Sequence, residues 1–382
     1  MKHVAASTKV GAPAGRRVCL VSGGTGGHLM PALVLGRSLL QSEQAPLLIT
    51  EGRDVEREFV QRELPDICSV EVPRSGRSPL ALPWWLIRAT GKARRLLRRH
   101  DVGGVISTGG RASVPVALAA RSLGLPVFLL EQNAVTGRAN GWLQSIARRT
   151  YTGLPGADSK SRRALHTGTP LRHGFGQVDK AEARRALELR SDVPVILVTG
   201  GSQGARAINE LVPAALQQLD RRLQVIHLSG LGKDADVRER YHEAGGDIDV
   251  EVRTVAADMD RLFAAADLVI CRGGGTTVAE LMAVGRPAVV VPYPHHKDKQ
   301  QLHNARVLER AGAAVICEEK DTDPGRLAAV LGALLRDPAR LSAMGDAARQ
   351  LRRLDASQAI LDDVHAQIAG RASAKVAAGG VA

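Results

Sequence analysis

The chain has few aromatic side chains, few cysteines and no long apolar run. Aromatic residues make up only 3% of its 382 residues, so a surface that stacks nucleic-acid bases is not expected. No CxxC pair occurs, which indicates a reduced, cytosolic protein without a zinc site; the four cysteines are Cys19, Cys68, Cys271 and Cys317. No stretch approaches the roughly 20 apolar residues of a membrane span, and residues 1–15 lack the apolar core of a signal peptide. We therefore predict a globular protein without a nucleic-acid partner.

Acidic side chains are scarce in the first half of the chain. Residues 1–172 contain 25 Lys and Arg against 11 Asp and Glu, whereas the remainder contains 27 against 28. The net charge of +13 therefore belongs to the N-terminal half, and it suits an anionic surface such as a membrane or a phosphorylated substrate. The length predicts two domains, and a hydrophobic content of 44% is ample for their cores.

No acidic residue occurs between Glu71 and Asp101, and this interval contains an apolar block followed by a basic one, residues 78–100. Tryptophan and arginine beside leucine are typical of a segment that lies in a lipid headgroup layer. A helix with one buried face and one solvated basic face would have a similar composition. We expect the interfacial arrangement, because the domain around it is already basic. The predicted membrane contacts are Leu82, Trp84, Trp85, Leu86, Arg88 and Arg95.

A glycine turn at 273–275 follows the short apolar run 267–271, which predicts a buried parallel strand. The helix after the turn begins near Thr276 and Thr277, where unpaired N–H groups and the helix dipole together form an anion site. Glu280 lies one turn later, where its carboxylate could accept hydrogen bonds from two vicinal hydroxyls of a ribose. A tight turn with a capped helix would contain the same glycines. The pattern nevertheless favours a nucleotide-sugar site.

Two glycine turns follow apolar strands in the first half. The strand at 17–21 leads into SGGTGGH, and the strand at 102–107 leads into TGGRAS. A glycine turn after the first strand is the phosphate-binding position of a doubly wound fold. His28 lies where the first turn meets its helix. It is either a general base or phosphate contact, or a helix-start residue bonded to backbone.

A polar triplet, Glu131-Gln132-Asn133, follows the strand predicted at 127–130. Polar groups at the carboxyl end of a parallel strand point into the ligand crevice. Glu131 could act as a base or accept from a sugar hydroxyl, although an exposed loop acid is the alternative. A third glycine turn, GGSQGAR at 200–206, follows the strand at 195–199. This repeat predicts two similar α/β domains that face each other.

Glu51 supports a different function. It ends the strand predicted at 46–50, at about the spacing of the ribose-binding acid in dinucleotide enzymes. An NAD-dependent oxidoreductase is therefore an alternative for the first half. Against it, the first turn is GGTGGH and not GxGxxG, and the second and third turns stay unexplained.

The glycine turns, the EQN triplet, TGTPLR, GGSQGAR and CRGGGTTVAE…HHKDKQQ occur in an order that resembles the family 28 glycosyltransferases, from about Val18 to about Ala366. The resemblance implies an α/β fold of the GT-B type, two Rossmann-like domains whose parallel sheets face a central cleft. Residues 16–172 would bind the acceptor and the membrane, and residues 173–368 would bind UDP-GlcNAc, with the last helices packing back on the first domain. Residues 1–15 and 369–382 are expected to be disordered tails.

The activity implied by this resemblance is inverting transfer of GlcNAc from UDP-GlcNAc to the C4 hydroxyl of lipid I, which forms lipid II for peptidoglycan. The implied location is the cytoplasmic face of the cell membrane, with an anionic lipid surface and cell-wall synthesis proteins as partners. No cofactor is expected, and no motif in the sequence requires a metal, which leaves stimulation by a divalent cation open. The alternatives are a GT-B transferase for another lipid or sugar and a catalytically silent lipid-pyrophosphate binder.

The resemblance also assigns residues by motif. The implied UDP-GlcNAc contacts are Thr25, Gly26, Gly27, Asn133, Arg172, Ser202, Ala256, Gly275, Thr276, Thr277, Val278, Ala279, Glu280, Gln300 and Gln301. The implied acceptor contacts are Gly109, Gly110 and Arg111. For the catalytic base, His28 is the first choice and Glu131 the second.

The sequence departs from the family's pattern at three positions. Leu130 stands where the family usually has His, Arg111 where it often has Tyr, and Val255 where it has an aromatic residue beside the uracil. The first two positions lie on the acceptor side. Arg111 is hypothesised to contact the acceptor's pyrophosphate instead.

Overall fold

The computed structural model describes residues 16–23, 26–74, 76, 79–157, 162–244 and 248–379. Thr25 and the tail predicted at 1–15 lie outside these residues. The described chain forms two parallel sheets with helices on their faces, as predicted. The first sheet has the order β3-β2-β1-β4-β5-β6-β7. Its strands are β1 (Arg17–Val21), β2 (Leu47–Thr50), β3 (Cys68–Glu71), β4 (Val102–Ser107), β5 (Val127–Glu131), β6 (Arg149–Thr152) and β7 (Ala164–His166).

The second sheet has six strands in the order β10-β9-β8-β11-β12-β13. Its strands are β8 (Val195–Thr199), β9 (Leu223–Leu228), β10 (Ile248–Arg253), β11 (Leu268–Cys271), β12 (Ala288–Val290) and β13 (Ala314–Ile316). All five residues of β8 and all four of β11 are buried. Burial on both faces is what a central parallel strand covered by helices requires, and it explains why these strands are continuous apolar runs.

The helices connect the strands and cover both sheets. In the first half they are α1 (Gly26–Gln41), α2 (Asp54–Glu63), α3 (Leu82–Arg99), α4 (Ser113–Ser122) and α5 (Arg138–Leu143). In the second half they are α6 (Lys180–Ala186), α7 (Arg206–Leu216), α8 (Asp234–Ala244), α9 (Met259–Ala265), α10 (Gly275–Val284), α11 (Gln300–Arg310), α12 (Pro324–Leu335), α13 (Pro338–Gln350) and α14 (Ala356–Gly379). Short 3₁₀ turns occur at Pro79–Ala81 and Glu319–Asp321.

The glycine turns lie where the strand order of each sheet reverses direction. In the first sheet β1 pairs with β4, and in the second β8 pairs with β11. The turns at 108–111, 200–204 and 273–275 follow β4, β8 and β11 respectively, and Ser22 and Gly23, the described start of the first turn, follow β1. Ligands of open α/β sheets bind outside the carboxyl ends of the strands at this reversal. Both domains therefore present their glycine turns at the position where a ligand is expected.

The last helix returns to the first domain. The Asp363 carboxylate of α14 accepts hydrogen bonds from Tyr151 Oη at 2.7 Å and from Arg149 Nε at 3.0 Å. Ile360 and Val364 pack in the core of the first sheet. The tail that we predicted to be disordered from residue 369 is instead helical as far as Gly379. The physical reason is its alanine-rich composition, which favours helix and contains no proline.

Candidate active site

The amino end of α10 is built to accept an anion. Its N-cap residue is Gly274, in an extended conformation with φ −67° and ψ 141°, which has no side chain to cap the first turn. The N–H groups of Gly275, Thr276 and Thr277 therefore face outward with the positive end of the helix dipole behind them. This is the arrangement predicted for the diphosphate of a sugar nucleotide.

Glu280 lies one turn into α10 and is only 8% exposed. Burial raises the pKa of its carboxyl to about 7, and the positive charge of Arg172 opposes this rise. Arg172 itself donates from Nη1 to the carbonyl of Ala257 at 3.2 Å. It therefore connects Glu280, the predicted ribose contact, with the loop at 256–257, where the uracil of the donor is expected. A carboxylate that titrates near neutrality would change its charge readily when hydroxyl donors arrive.

His28 lies in the first turn of α1, and its ring orientation is fixed by the second glycine turn. Its Nδ1 lies 2.9 Å from the carbonyl oxygen of Thr108 and 3.3 Å from Gln132 Oε1. Because a carbonyl only accepts, the contact favours the tautomer with its proton on Nδ1, in which Nε2 carries the lone pair. A methyl group added at Gly109 would lie 2.8 Å from Nδ1, so this turn also packs against the ring. The arrangement suits a general base that acts through Nε2.

Glu131 is saturated by its own loop. Its Oε1 accepts from the backbone and side-chain nitrogens of Asn133 at 3.2 and 3.0 Å. Its Oε2 accepts from Gly137 N and Asn140 Nδ2, both at 2.9 Å. Four donors occupy the directions that a substrate hydroxyl would need. This geometry argues against the prediction that Glu131 is a base, because the side chain instead holds Asn133 in place.

Asn304 joins the two domains, although it is not among the site residues predicted from the sequence. Its side chain is fully buried. Nδ2 donates to Asn133 Oδ1 at 3.0 Å and to the carbonyl of Gly273 at 2.9 Å, and Oδ1 accepts from Ala134 N at 2.8 Å. The only hint in the sequence is its position one helical turn after Gln300 and Gln301, which places it on the same face of α11.

The two domains also touch directly at the anion site. The hydroxyl of Thr276 donates to the carbonyl of Gly27 across the cleft at 3.4 Å. A methyl group on Gly275 would lie 2.5 Å from the carbonyl oxygen of Gln132 and 2.9 Å from Asn133 Oδ1. Only glycine permits this approach. Four of the predicted donor contacts, Gly27, Asn133, Gly275 and Thr276, thus lie where the two domains meet.

The remaining donor contacts differ in how they can reach a ligand. Ser202 is exposed in the third glycine turn, and Ala256 is partly buried. Val278 and Ala279 have buried side chains in α10, so they could contact a ligand only through their backbones. Gln300 begins α11. The neighbouring Gln301 accepts from Tyr293 N at 3.0 Å through Oε1, which leaves its Nε2 to donate.

The acceptor side is formed where the first two glycine turns meet. A methyl group on Gly110, whose φ is +89°, would lie 2.1 Å from the carbonyl oxygen of Gly23. Arg111 follows with an exposed side chain. Leu130 is fully buried in the core of the first domain. The side chain at 130 therefore points away from the cleft and has no direct access to an acceptor there.

The predicted membrane segment is a helix that exposes apolar side chains at its start. Along α3, Ala89, Ala93 and Leu97 are buried, and the last two belong to the core shared with α4. Trp84 is 70% exposed and Ile87 is 65% exposed. Leu82, Arg88 and Arg95 are exposed as well.

Trp85 and Leu86 fit the predicted membrane contact less well than the exposed Leu82 and Trp84. Both are partly buried, and the Trp85 indole donates to the carbonyl of Pro73 at 2.7 Å. The apolar surface therefore consists of Leu80, Leu82, Trp84 and Ile87, which we call the α3 patch. Among the described residues, no helix combines the length and apolarity needed to cross a bilayer.

Glu51 does not support the dinucleotide alternative. It is 1% exposed, and its Oε2 lies 2.5 Å from Arg53 Nη2. A ribose would have to displace this ion pair to reach the carboxylate. The interpretation of the first half as an NAD site is therefore disfavoured by the geometry.

Comparisons with known proteins cover almost the whole chain. Residues 18–152 match the model of the glycosyltransferase family 28 N-terminal domain, and residues 195–360 match that of its C-terminal domain. The UDP-N-acetylglucosamine–N-acetylmuramyl-(pentapeptide) pyrophosphoryl-undecaprenol N-acetylglucosamine transferase of Stutzerimonas stutzeri is 37% identical over 90% of this chain and 97% of its own length. The protein of the same name from Nitrobacter hamburgensis is 38% identical over 90% of this chain and 95% of its own length.

A solved structure agrees with these relatives. The crystal structure of Acinetobacter baumannii MurG superposes with a TM-score of 0.79 at 30% sequence identity. The superposition covers 92% of this chain and 99% of that one. The similarity therefore includes both domains and the cleft between them.

Proposed function

The chain belongs to glycosyltransferase family 28, and we propose that it transfers N-acetylglucosamine from UDP-GlcNAc to lipid I. The product is lipid II, the disaccharide-linked precursor of peptidoglycan. The fold is of the GT-B type, with two Rossmann-like domains across a cleft. Relatives named for this reaction match across 90% of the chain. The residues of the cleft also fit the chemistry of this transfer.

One contact carries the proposal most directly. The uncapped start of α10, where a diphosphate is expected, touches the first glycine turn through Thr276 and Gly27. His28 follows Gly27 in the chain. The proposed leaving group and the proposed base are thus held on opposite sides of one narrow cleft. This is the requirement for displacement at a sugar carbon, in which the two groups act on opposite faces.

The proposed mechanism is a single displacement with inversion. The C4 hydroxyl of the muramyl sugar attacks the anomeric carbon of UDP-GlcNAc, and its proton moves to Nε2 of His28. The bond from the anomeric carbon to the diphosphate oxygen breaks, and its electron pair stays on UDP. The N–H groups at the start of α10 stabilise that charge. Arg172, which lowers the pKa of Glu280 from nearby, adds positive charge on the donor side.

The activity is tested by UDP release. Purified protein should release UDP from UDP-GlcNAc only when a lipid I analogue is present, and should discriminate against UDP-glucose and UDP-galactose. Binding of the analogue without UDP release would support the silent lipid-pyrophosphate binder instead. Faster release with another sugar nucleotide would support a different GT-B transferase.

We propose that the α3 patch docks the protein on an anionic membrane at the cytoplasmic face. The patch is apolar, and exposed Arg88 and Arg95 continue along the same helix. Such a surface combines burial in the headgroup region with attraction to anionic lipid. It lies in the domain proposed to bind a lipid-linked acceptor.

Vesicle sedimentation tests this docking. Vesicles with anionic lipid should retain the protein, and the Trp84→Ser, Ile87→Ser double variant should bind at least several-fold more weakly. Leu231→Ser is the matched control, because Leu231 is 66% exposed in the second domain, close to the 65% of Ile87. Equal retention of parent and double variant would count against the proposal.

A further inference from the structure

A cavity of about 400 Å³ lies on the face of the second domain opposite the donor site. It is formed where β8, β11 and β12 begin, whereas the glycine turns lie where β8 and β11 end. Five cationic side chains line it: Lys180, Arg184, Arg221, Arg286 and Arg349. The carboxylates in its lining are Asp192 and Asp267. No part of the proposed transfer reaction uses this cavity.

Most of these charges are already paired. Asp267 accepts from Lys180 Nζ at 2.5 Å, from Arg184 Nη2 at 2.5 Å and from Val195 N at 2.7 Å. Asp192 pairs with Arg190, which lies outside the cavity lining. Arg349 pairs with Asp346. Within the part of the chain that the structure describes, no ion pair forms on Arg221 or Arg286, although Asp267 and Asp179 act on Arg286 from a greater distance.

Arg286 is largely buried and is bonded only to backbone. Its Nε donates to the carbonyl of Phe263 at 3.0 Å and its Nη2 to that of Ala264 at 2.6 Å. Burial, and next the positive charge of Arg349, lower the pKa of Arg286 to about 10, whereas the carboxylates of Asp267 and Asp179 only partly oppose this shift. A guanidinium that is buried among like charges is costly unless an anion compensates it.

Arg221 has unused donors at the same cavity. Its Nη1 donates to the carbonyl of Leu335 at 2.7 Å. Its Nε is buried and has no hydrogen-bond partner among the described residues. The guanidinium keeps its charge, and a donor that faces the cavity can form a charge-assisted hydrogen bond to an oxygen of a phosphate group.

We propose that this cavity is a second anion site, which binds a phosphate-type oxyanion between Arg221 and Arg286. Arg349 contributes attraction at its edge. The bound oxyanion supplies the direct ion-pair partner that Arg221 and Arg286 do not have among the domain's own carboxylates. The site is separate from the nucleotide-sugar site and does not depend on the reaction proposed above.

Titration with inorganic phosphate tests the proposal. Calorimetry is done at constant ionic strength, balanced with sodium chloride, and in the presence of saturating UDP so that the donor site is occupied. The parent protein is expected to show one saturable phosphate site under these conditions. Arg221→Gln should weaken it about tenfold, the loss expected from removing one charged hydrogen-bonding group. A circular dichroism melt checks that the variant is folded.

Arg340→Gln is the matched control, because it removes the same charge from an exposed position of α13 outside the cavity lining. It should leave the phosphate affinity unchanged. Equal affinity of the parent and Arg221→Gln would overturn the proposal. So would phosphate binding that disappears when UDP is present, since that result would assign the phosphate to the donor site.

Discussion

The two domains share one architecture but use their glycine turns differently. In the first domain, the turn after β4 packs Gly109 against His28 and fixes the ring through Thr108. In the second domain, the turn after β11 leaves the start of α10 uncapped. One turn therefore orients a side chain and the other exposes backbone N–H groups. The same fold can supply a base on one side of a cleft and an anion site on the other.

Charge distribution follows the same division. The excess of positive charge lies in residues 1–172, together with the α3 patch. The second half is nearly balanced, with 27 basic and 28 acidic residues. A lipid-linked acceptor at an anionic surface favours the first composition. A soluble sugar nucleotide needs only local donors, which the helix start supplies.

The largest effect is expected from substituting His28, the proposed base in the first domain. Changing His28 to Ala should reduce kcat by about 10²–10⁴-fold, because it removes the proposed proton acceptor. The affinity for UDP-GlcNAc should change little. His28→Asn is the discriminating variant, since its amide N–H can still donate to Thr108 but it lacks a basic nitrogen. If His28→Asn restored turnover, the role of the residue would be structural rather than catalytic.

Disturbing the contact between the two domains is expected to have the next largest effect. Gly275→Ala places a methyl group 2.5 Å from the carbonyl oxygen of Gln132, so the domains must separate. A misplacement of the reacting groups by about 1 Å can lower the rate by about 10²-fold, and we expect a loss of that order in kcat/KM. In the matched control, Gly274→Ala, the nearest atom is Thr277 Oγ1 at 3.6 Å, an ordinary contact. Similar activities for the two variants would contradict the importance of this close approach.

Sequence alone was sufficient for the elements that depend on local pattern. The strands predicted at 17–21, 102–107 and 195–199 have those bounds in the structure, because buried parallel strands are largely continuous apolar runs. His28 is predicted to lie where the first glycine turn meets its helix, but α1 begins two residues before it, at Gly26. Its first residues, two glycines and a histidine, have low helix propensity, which packing in the fold overrides.

Side-chain partners that are distant in sequence were not predictable in this way. Glu131 and its loop form a closed set of hydrogen bonds that only the folded backbone reveals. Asn304 bonds to Asn133, which is 171 residues away. Trp85 resembles Trp84 in sequence but is tied to Pro73. In each case the pattern supplied the residue type, and its role depended on which neighbours the fold brought to it.

Asn304 offers a smaller test of the same domain contact. Asn304→Ala leaves Ala134 N, Gly273 O and Asn133 Oδ1 without their partner, and a buried unsatisfied group costs about 1–3 kcal/mol. We expect a lower Tm and about a tenfold lower kcat/KM, since a coupling of about 1.4 kcal/mol corresponds to a factor of ten. Both quantities would be measured on the same preparations.

The matched control is Asn209→Ala. Asn209 is 6% exposed, and its bonds to Ser229 and His227 stay within the second domain. This variant should lower Tm without a comparable loss of kcat/KM. Equal losses of activity in both variants would mean that stability, and not the contact between the domains, determines the rate.

The smallest effect is expected in the second domain, where the ionisation of Glu280 should make the affinity for UDP-GlcNAc depend on pH. In the free protein the pKa of this carboxyl is raised to about 7 by burial, whereas hydroxyl donors of a ribose favour its ionised form. The affinity for UDP-GlcNAc should therefore rise from pH 6 to pH 8, by at most about tenfold, since one pH unit corresponds to 1.36 kcal/mol. A raised carboxyl pKa in the folded state has the opposite effect on stability, which falls as pH rises from the ordinary value of 4.5 to about 7. Glu280→Gln should abolish both trends, and a pH-independent affinity in the parent would show that Glu280 does not accept from the ribose.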